Sequence, residues 1–183
     1  MAPIPLSLPS LEKETVTNET YRKTVNMTPI VASAAFAGGG LLILLSYGIR
    51  WLGTEPQDWR AGFWDEFVNF ALTIIPLNMI TLVGLVLSAR LDWQDRPIRR
   101  TWMIAIWLYV ANTVFTLGYF VPQNILLIWD SYTAEQASSI RATWLGLHGL
   151  RVIIAIAVPV VALLVVIGRA EAGSIAQRQA EQR

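Results

Sequence analysis

Four stretches of the chain are almost unbroken in apolar residues, and each is bracketed by charged or turn-forming ones. They cover about residues 29–52, 67–88, 101–121 and 142–168, and the last holds an uninterrupted apolar run from Val152 to Gly168. About 20 apolar residues, rising roughly 1.5 Å each, cross the hydrocarbon of a bilayer. The pattern therefore predicts four transmembrane helices. Helix is the required backbone, because lipid offers no partner to an unpaired amide. Barrel strands would alternate polar and apolar over about ten residues, and these segments do not. The expected fold class is all-α, an integral membrane four-helix bundle, with one four-helix domain over 29–168.

The flanks differ in character. Residues 1–28 carry Pro3, Pro5 and Pro9, mixed charge and no apolar core, so they do not read as a signal peptide. They are expected to form a flexible or surface-lying tail. Residues 169–183 read as a helical extension of the fourth span that frays in water.

Composition sharpens the class. Of 183 residues, 54% are hydrophobic and 15% charged, and the mean hydropathy is +0.47. A soluble domain carries about 25% charged residues. Disorder fails on the same numbers, because there is more than enough apolar surface to bury. A net charge of +1 supplies no basic field for nucleic acid. There is no cysteine, which removes disulfides, thiolate metal sites and thioether-linked haem. The one histidine, His148, removes any two-histidine metal site within a chain. No metal and no cofactor are expected.

Basic residues set the expected orientation. The loop between the second and third spans holds Arg90, Arg96, Arg99 and Arg100, and the two flanks add Lys13, Arg22, Lys23, Arg169, Arg178 and Arg183. The opposite side holds only Arg50, Arg60, Arg141 and Arg151. Both termini are therefore expected in the cytoplasm, in a multi-pass protein of a bacterial inner membrane. Tryptophans 51, 59, 64, 129 and 144 fall near one boundary and 93 and 102 near the other, as interfacial belts do.

Polar residues inside the spans carry the candidate chemistry. Counted along each helix, Tyr47, Asn69, Tyr119 and Arg151 all lie roughly 25–28 Å from the inner end. Each helix thus brings a polar group to one level. Trp144, His148, Arg151 and Ala155 follow i, i+4, i+7, i+11 spacing and share a face of the fourth helix. Asn112, Thr116 and Tyr119 share a face of the third, which is expected to exit through Phe120-Val121-Pro122-Gln123-Asn124. A polar pocket opening outward is the expectation, because intramembrane ionisable groups usually face a cavity or a partner. The competing reading is an arginine that snorkels to headgroups and a histidine bonded to a carbonyl. Deeper, Asn78, Asn112, Pro76, Pro159 and Gly38-Gly39-Gly40 read as packing positions.

The element Tyr119-Phe120-Val121-Pro122-Gln123-Asn124-Ile125-Leu126-Leu127, followed by Thr143-Trp144-Leu145-Gly146-Leu147-His148-Gly149-Leu150-Arg151, resembles the anthrone-oxygenase-like family of small four-helix membrane proteins. The resemblance covers about residues 105–168, and Asn124, Trp144, His148 and Arg151 match the family's polar positions. It implies oxidation of an apolar polycyclic or phenolic substrate by molecular oxygen without an established metal or flavin. On that reading His148 is the base, Arg151 holds the developing oxyanion, Asn124 and Tyr119 orient the carbonyl and Trp144 stacks on the rings. Asn69 and Tyr47 are added from the depth argument as substrate-side residues. The first loop, with Trp59, Trp64, Asp65 and Glu66, departs from the pattern.

The alternative function is a non-catalytic accessory or scaffold subunit of a larger membrane complex, contacting quinone, pigment or lipid. His148 as a single axial ligand to haem or chlorophyll also stays open. A channel or ion-coupled transporter is disfavoured, because the spans hold no acidic residue. Expected partners are the lipid bilayer, a small apolar aromatic substrate, and either a second copy of the chain or a larger complex.

Overall fold

In a computed structural model describing residues 8–129 and 131–182, every element is helical. Helix α1 covers Leu8–Leu42 and passes through a π turn, Ile43–Tyr47, into α2, Gly48–Leu52. Helix α3 covers Pro56–Leu91 and α4 covers Arg96–Phe115. A second π turn, Thr116–Phe120, leads into α5, Val121–Trp129, and α6 covers Ala134–Glu181. These make four rods long and apolar enough to cross a membrane, within Asn18–Leu52, Pro56–Leu91, Arg96–Trp129 and Ala134–Ala172.

The rods overrun the apolar stretches at both ends. The segment expected as a tail is helical from Leu8, and Asn26 and Pro29 are buried against the bundle. Residues 1–7 lie outside the described residues. The expected first loop is largely helix: Pro56 opens α3, a position where its missing N–H costs nothing. Trp59 and Glu66 therefore sit on helix. The third rod does not exit at Phe120. Pro122 lies in the first turn after a π turn, where the helix is already re-registered, and Asn124 stays in helix at a buried position.

The first rod packs extensively on the second and the fourth, and the third on the fourth. Close approach explains individual residues. A Cβ on Gly84 would stand 2.9 Å from Pro29 Cδ, and one on Gly40 would stand 3.0 Å from Val152 Cγ2. Pro29 cannot donate to the carbonyl of Val25, one turn earlier, and the Ser88 hydroxyl from α3 donates to that carbonyl at 3.2 Å. Gly38 and Gly39 have open space beside them, so only Gly40 of the glycine run serves close packing.

Two large cores stack along the bundle, with a small cluster of Phe36, Ala37 and Ala155 besides. Leu85, Trp102, Ala105, Tyr109, Val158 and Ala162 fill the half nearer the chain ends. Trp51, Trp59, Phe63, Phe120, Leu127 and Trp144 fill the other. Trp51, Trp59, Trp102 and Trp144 are thus core residues, against the expectation of belt anchors, whereas Trp64, Trp93 and Trp129 are exposed. Trp51, Trp59 and Trp144 stay inside because they meet other rings, as in the T-shaped pairs of Trp51 with Trp59 and Trp144, and Trp102 because its N–H donates to Asp92 at 2.8 Å.

Candidate functional site

The second and third rods make the weakest of the sequential contacts. In the half away from the chain ends they leave a cavity of about 260 Å³ between them. Its walls are Phe63, Phe67 and Phe70 of α3 and Phe120 of the third rod. The three α3 phenylalanines follow helical i, i+4, i+7 spacing, which turns one aromatic face toward the gap. Trp51 and Trp144 contribute from the first and fourth rods. Polar atoms come from Arg151, Asn124, Thr116 and Asn78. Both π turns supply lining residues, Ile43 from one and Thr116, Leu117 and Phe120 from the other. A π turn re-aims the side chains around it, and such turns recur at functional sites.

Arg151 has few partners. Its Nη1 lies 3.5 Å from Thr116 Oγ1, a long contact, and its guanidinium sits 4.6 Å above the Phe120 ring. The Thr116 hydroxyl spends its own proton on the Asn112 carbonyl at 2.8 Å. Among the described residues no carboxylate pairs with Arg151, whereas Arg22, Arg50 and Arg169 each have one. A cation inside a rod without an anion, facing a mostly aromatic cavity, is costly unless something else meets it.

Asn124 and Trp144 are joined. Trp144 Nε1 donates to Asn124 Oδ1 at 2.9 Å, and both are buried. This bond links the third and fourth rods at the cavity and fixes the amide's orientation. His148 is fully buried and stacks on Trp144 with ring centroids 5.0 Å apart. Its Nε2 lies 3.0 Å from the Gly40 carbonyl. A carbonyl only accepts, so Nε2 carries the proton, and Nδ1 keeps its lone pair without a hydrogen-bond partner. His148 stands behind the cavity wall, with Phe120 and Trp144 in front of it.

The residues expected at one level thus divide. Arg151, Asn124 and Trp144 line the cavity. His148 supports it from behind. Tyr119 packs edge-on against Phe120 at 5.1 Å, and Tyr47 packs edge-on against Phe70 at 4.7 Å, both one ring removed from the space. Asn69 is exposed on the outer side of α3 and joins none of them. The angle around the helix separates them.

Reading residues by depth and polarity missed the aromatic wall of Phe63, Phe67 and Phe70, although its spacing is visible in the sequence. It also missed Asn78, which lines the cavity, while its backbone carbonyl accepts from Tyr109 Oη at 2.9 Å. The Oδ1 atoms of Asn78 and Asn112 are buried without a protein hydrogen-bond partner among the described residues. Above the cavity, Arg141 donates to the Trp51 and Thr54 carbonyls at 2.5 and 2.6 Å, and Trp51 Nε1 donates to Glu66 at 2.6 Å. These bonds hold the first rod's end against α6 and α3. No family model, curated protein or solved structure matches the chain.

Proposed function

We propose that the protein is a multi-pass membrane protein whose aromatic cavity takes a flat, apolar ring system bearing a ketone or phenolate oxygen, and oxidises it with molecular oxygen. The observation that carries this reading is Arg151, a cation with no carboxylate partner among the described residues, at a cavity walled by Phe63, Phe67, Phe70 and Phe120. An oxyanion supplies the missing counter-charge, and rings supply the contact surface. The second and third rods pack least tightly of the sequential pairs, so a ring system entering from the bilayer would pass between them. The resemblance of the Phe120–Leu127 and Thr143–Arg151 elements to anthrone oxygenases supports the same substrate class.

In that reaction an anthrone loses a proton from the carbon between its rings, and the electrons move onto the ketone oxygen. Arg151 and the Asn124 amide hold that oxygen as charge develops. The electron-rich enolate then reduces oxygen, so that the CH₂ group and O₂ become a C=O group and water. The base is His148 through Nδ1, whose lone pair is free. Because His148 lies behind Trp144 and Phe120, this role requires a water to bridge Nδ1 and the substrate carbon.

Oxygen uptake by the purified protein with an anthrone tests the reading. The wild type is expected to exceed buffer, and Arg151→Lys to be impaired because an ammonium cannot reproduce the planar fork. His148→Ala is expected to lose about 10²–10⁴ in rate. A wild-type rate equal to buffer overturns the oxidative chemistry. Rings that bind but do not react would then favour the accessory-subunit reading, in which the same cavity holds a quinone or pigment.

A further inference from the structure

The bundle end that carries the start of the first rod and the finish of the fourth holds a second cavity, of about 570 Å³. Glu19, Arg22, Lys23, Asn26 and Met27 line it from α1, and Val166, Arg169 and Ala170 from α6. Beneath it lies Asp92, whose side chain is 0% exposed. Arg22 Nη2 and Arg169 Nη2 both meet Asp92 Oδ1, at 2.8 and 2.5 Å. Asp92 Oδ2 is occupied too, by Trp102 Nε1 at 2.8 Å and more distantly by Asn26 Nδ2 at 3.4 Å. One carboxylate thus serves two guanidiniums, and its acceptor sites are taken. Lys23 adds a third cation at the rim, balanced by Glu19 at 2.7 Å. The cavity wall therefore keeps one positive charge more than its carboxylates neutralise.

The two arginines come from the first and fourth rods, so an anion between them would tie those rods together. Met27 and Val166 give the same cavity an apolar flank that faces the rods' hydrophobic stretches. Cationic clefts between helices at the level where charged residues begin are suited to phosphate headgroups, with the acyl chains running down the apolar flank.

We propose that this cavity binds a phosphodiester, and that its source is the headgroup of an anionic phospholipid whose acyl chains lie along Met27 and Val166. The inference is independent of the oxidative reading, because the two cavities share no lining residue.

Native mass spectrometry of the full chain in detergent tests it, with graded phosphatidylglycerol, phosphatidylcholine and inorganic phosphate as probes. Retention of phosphatidylglycerol over phosphatidylcholine is expected, with inorganic phosphate failing to displace it. The rim residues Lys23 and Glu19 are 73% and 64% exposed, so their substitution should leave the fold intact. Lys23→Gln is expected to weaken phosphatidylglycerol binding about fivefold, the effect of about 1 kcal/mol per basic residue near an anionic surface. Glu19→Gln removes a negative charge from the same rim and is expected to strengthen it. Arg22→Gln is expected to weaken it more than Lys23→Gln, and a thermal melt without lipid separates any loss of fold from loss of binding. Equal retention of the two lipids overturns the proposal. Displacement by millimolar inorganic phosphate overturns the lipid as the source. Shifts of the same sign in Lys23→Gln and Glu19→Gln overturn the charge argument.

Discussion

Replacing Arg151 with methionine should cost the folded protein almost nothing while removing its affinity for ring oxyanions. The substitution keeps a long unbranched side chain and deletes the charge. What it deletes can be counted from the structure. One contact is the 3.5 Å approach to Thr116 Oγ1, and that hydroxyl keeps its bond to the Asn112 carbonyl in the variant. The other is the stack over Phe120 at 4.6 Å, which is worth about 0.5–2 kcal/mol depending on desolvation. Against these stands the cost of holding an unneutralised cation inside the rod, at least about 2.5 kcal/mol at mid-membrane depth and less toward an interface. The two sides nearly cancel, so the net change should lie within about 1 kcal/mol of zero, of either sign.

A structural arginine behaves differently. Breaking a buried ion pair by deleting one partner costs about 3–5 kcal/mol, because the other charge is left behind. Thermal unfolding of wild type and Arg151→Met in one detergent distinguishes the two cases, and quenching of the cavity-lining Trp51 and Trp144 by an added hydroxyanthraquinone reads binding. The expected result is an unchanged or raised Tm together with lost quenching. A fall of several kcal/mol would mean that Arg151 serves the fold through a carboxylate absent from its surroundings here, and would refute the reasoning.

Trp144→Phe should cost about 1–3 kcal/mol, because it strands the buried Asn124 Oδ1; adding Asn124→Leu should recover part of that loss in a chemical-denaturation cycle. Gly84→Ala should lose about 1–3 kcal/mol, since its Cβ would meet Pro29 at 2.9 Å, whereas Gly38→Ala, with nothing within 4 Å, should be neutral or better in the same melt. A cysteine placed at Gln94 should label with an impermeant thiol reagent from the cytoplasmic side only, as the basic asymmetry requires, and labelling from outside would reverse the orientation. Acidification should destabilise the wild type more than Asp92→Asn. Burial alone would raise the Asp92 carboxyl, but the close contact with the Arg169 guanidinium and the hydrogen bonds from Trp102 and Arg22 hold it below its ordinary 3.8. A lowered folded value contributes stability that is present above 3.8 and fades as pH falls through the folded value. The checking measurement is Tm from pH 6 down to pH 3, with parallel curves for the two proteins as the refuting outcome.

Element type was legible because lipid-compatible helices advertise themselves by length and hydropathy alone. Helix ends were less so. The polar turns over 8–28 and 56–66 continue the first two rods past their apolar stretches, where hydropathy is silent, and the apolar helix α5 continues the third past Pro122-Gln123-Asn124, which reads in sequence as an exit. The candidate site divides in the same way. Arg151 is reached by counting along its helix, Trp144 by its i, i+4, i+7 spacing with His148 and Arg151, and Asn124 only through an exit at Phe120 that the fold replaces with continued helix. Asn69 could not be placed, because a polar residue at the right height on the outer side of α3 looks identical in sequence to one on the inner side. His148 shares a helix face with Trp144 and Arg151 in the sequence, yet its bond to Gly40 depends on how closely the first and fourth rods approach.

Asp92 marks where a linear reading stops. In the sequence it is one carboxylate in a charged loop between two spans, with Arg90, Asp95 and Arg96 close by, and nothing singles it out. In the fold it is the least solvated of the charged groups there, because Trp102 lies ten residues on and Arg22 and Arg169 lie about seventy residues away on either side. Three rods and the connecting loop therefore meet on two oxygen atoms. Such a group fixes the relative rotation of the rods more than it adds stability, since desolvating it offsets much of the attraction it gains. The cavity with Arg151 depends on that rotation, because its lining comes from all four rods. Loosening Asp92 should accordingly change ring binding at a site in the opposite half of the bundle. In Asp92→Asn the quenching of Trp51 and Trp144 by the hydroxyanthraquinone should weaken even at temperatures well below the melt. Unchanged binding in a folded Asp92→Asn protein would show that the two halves of the bundle are set independently.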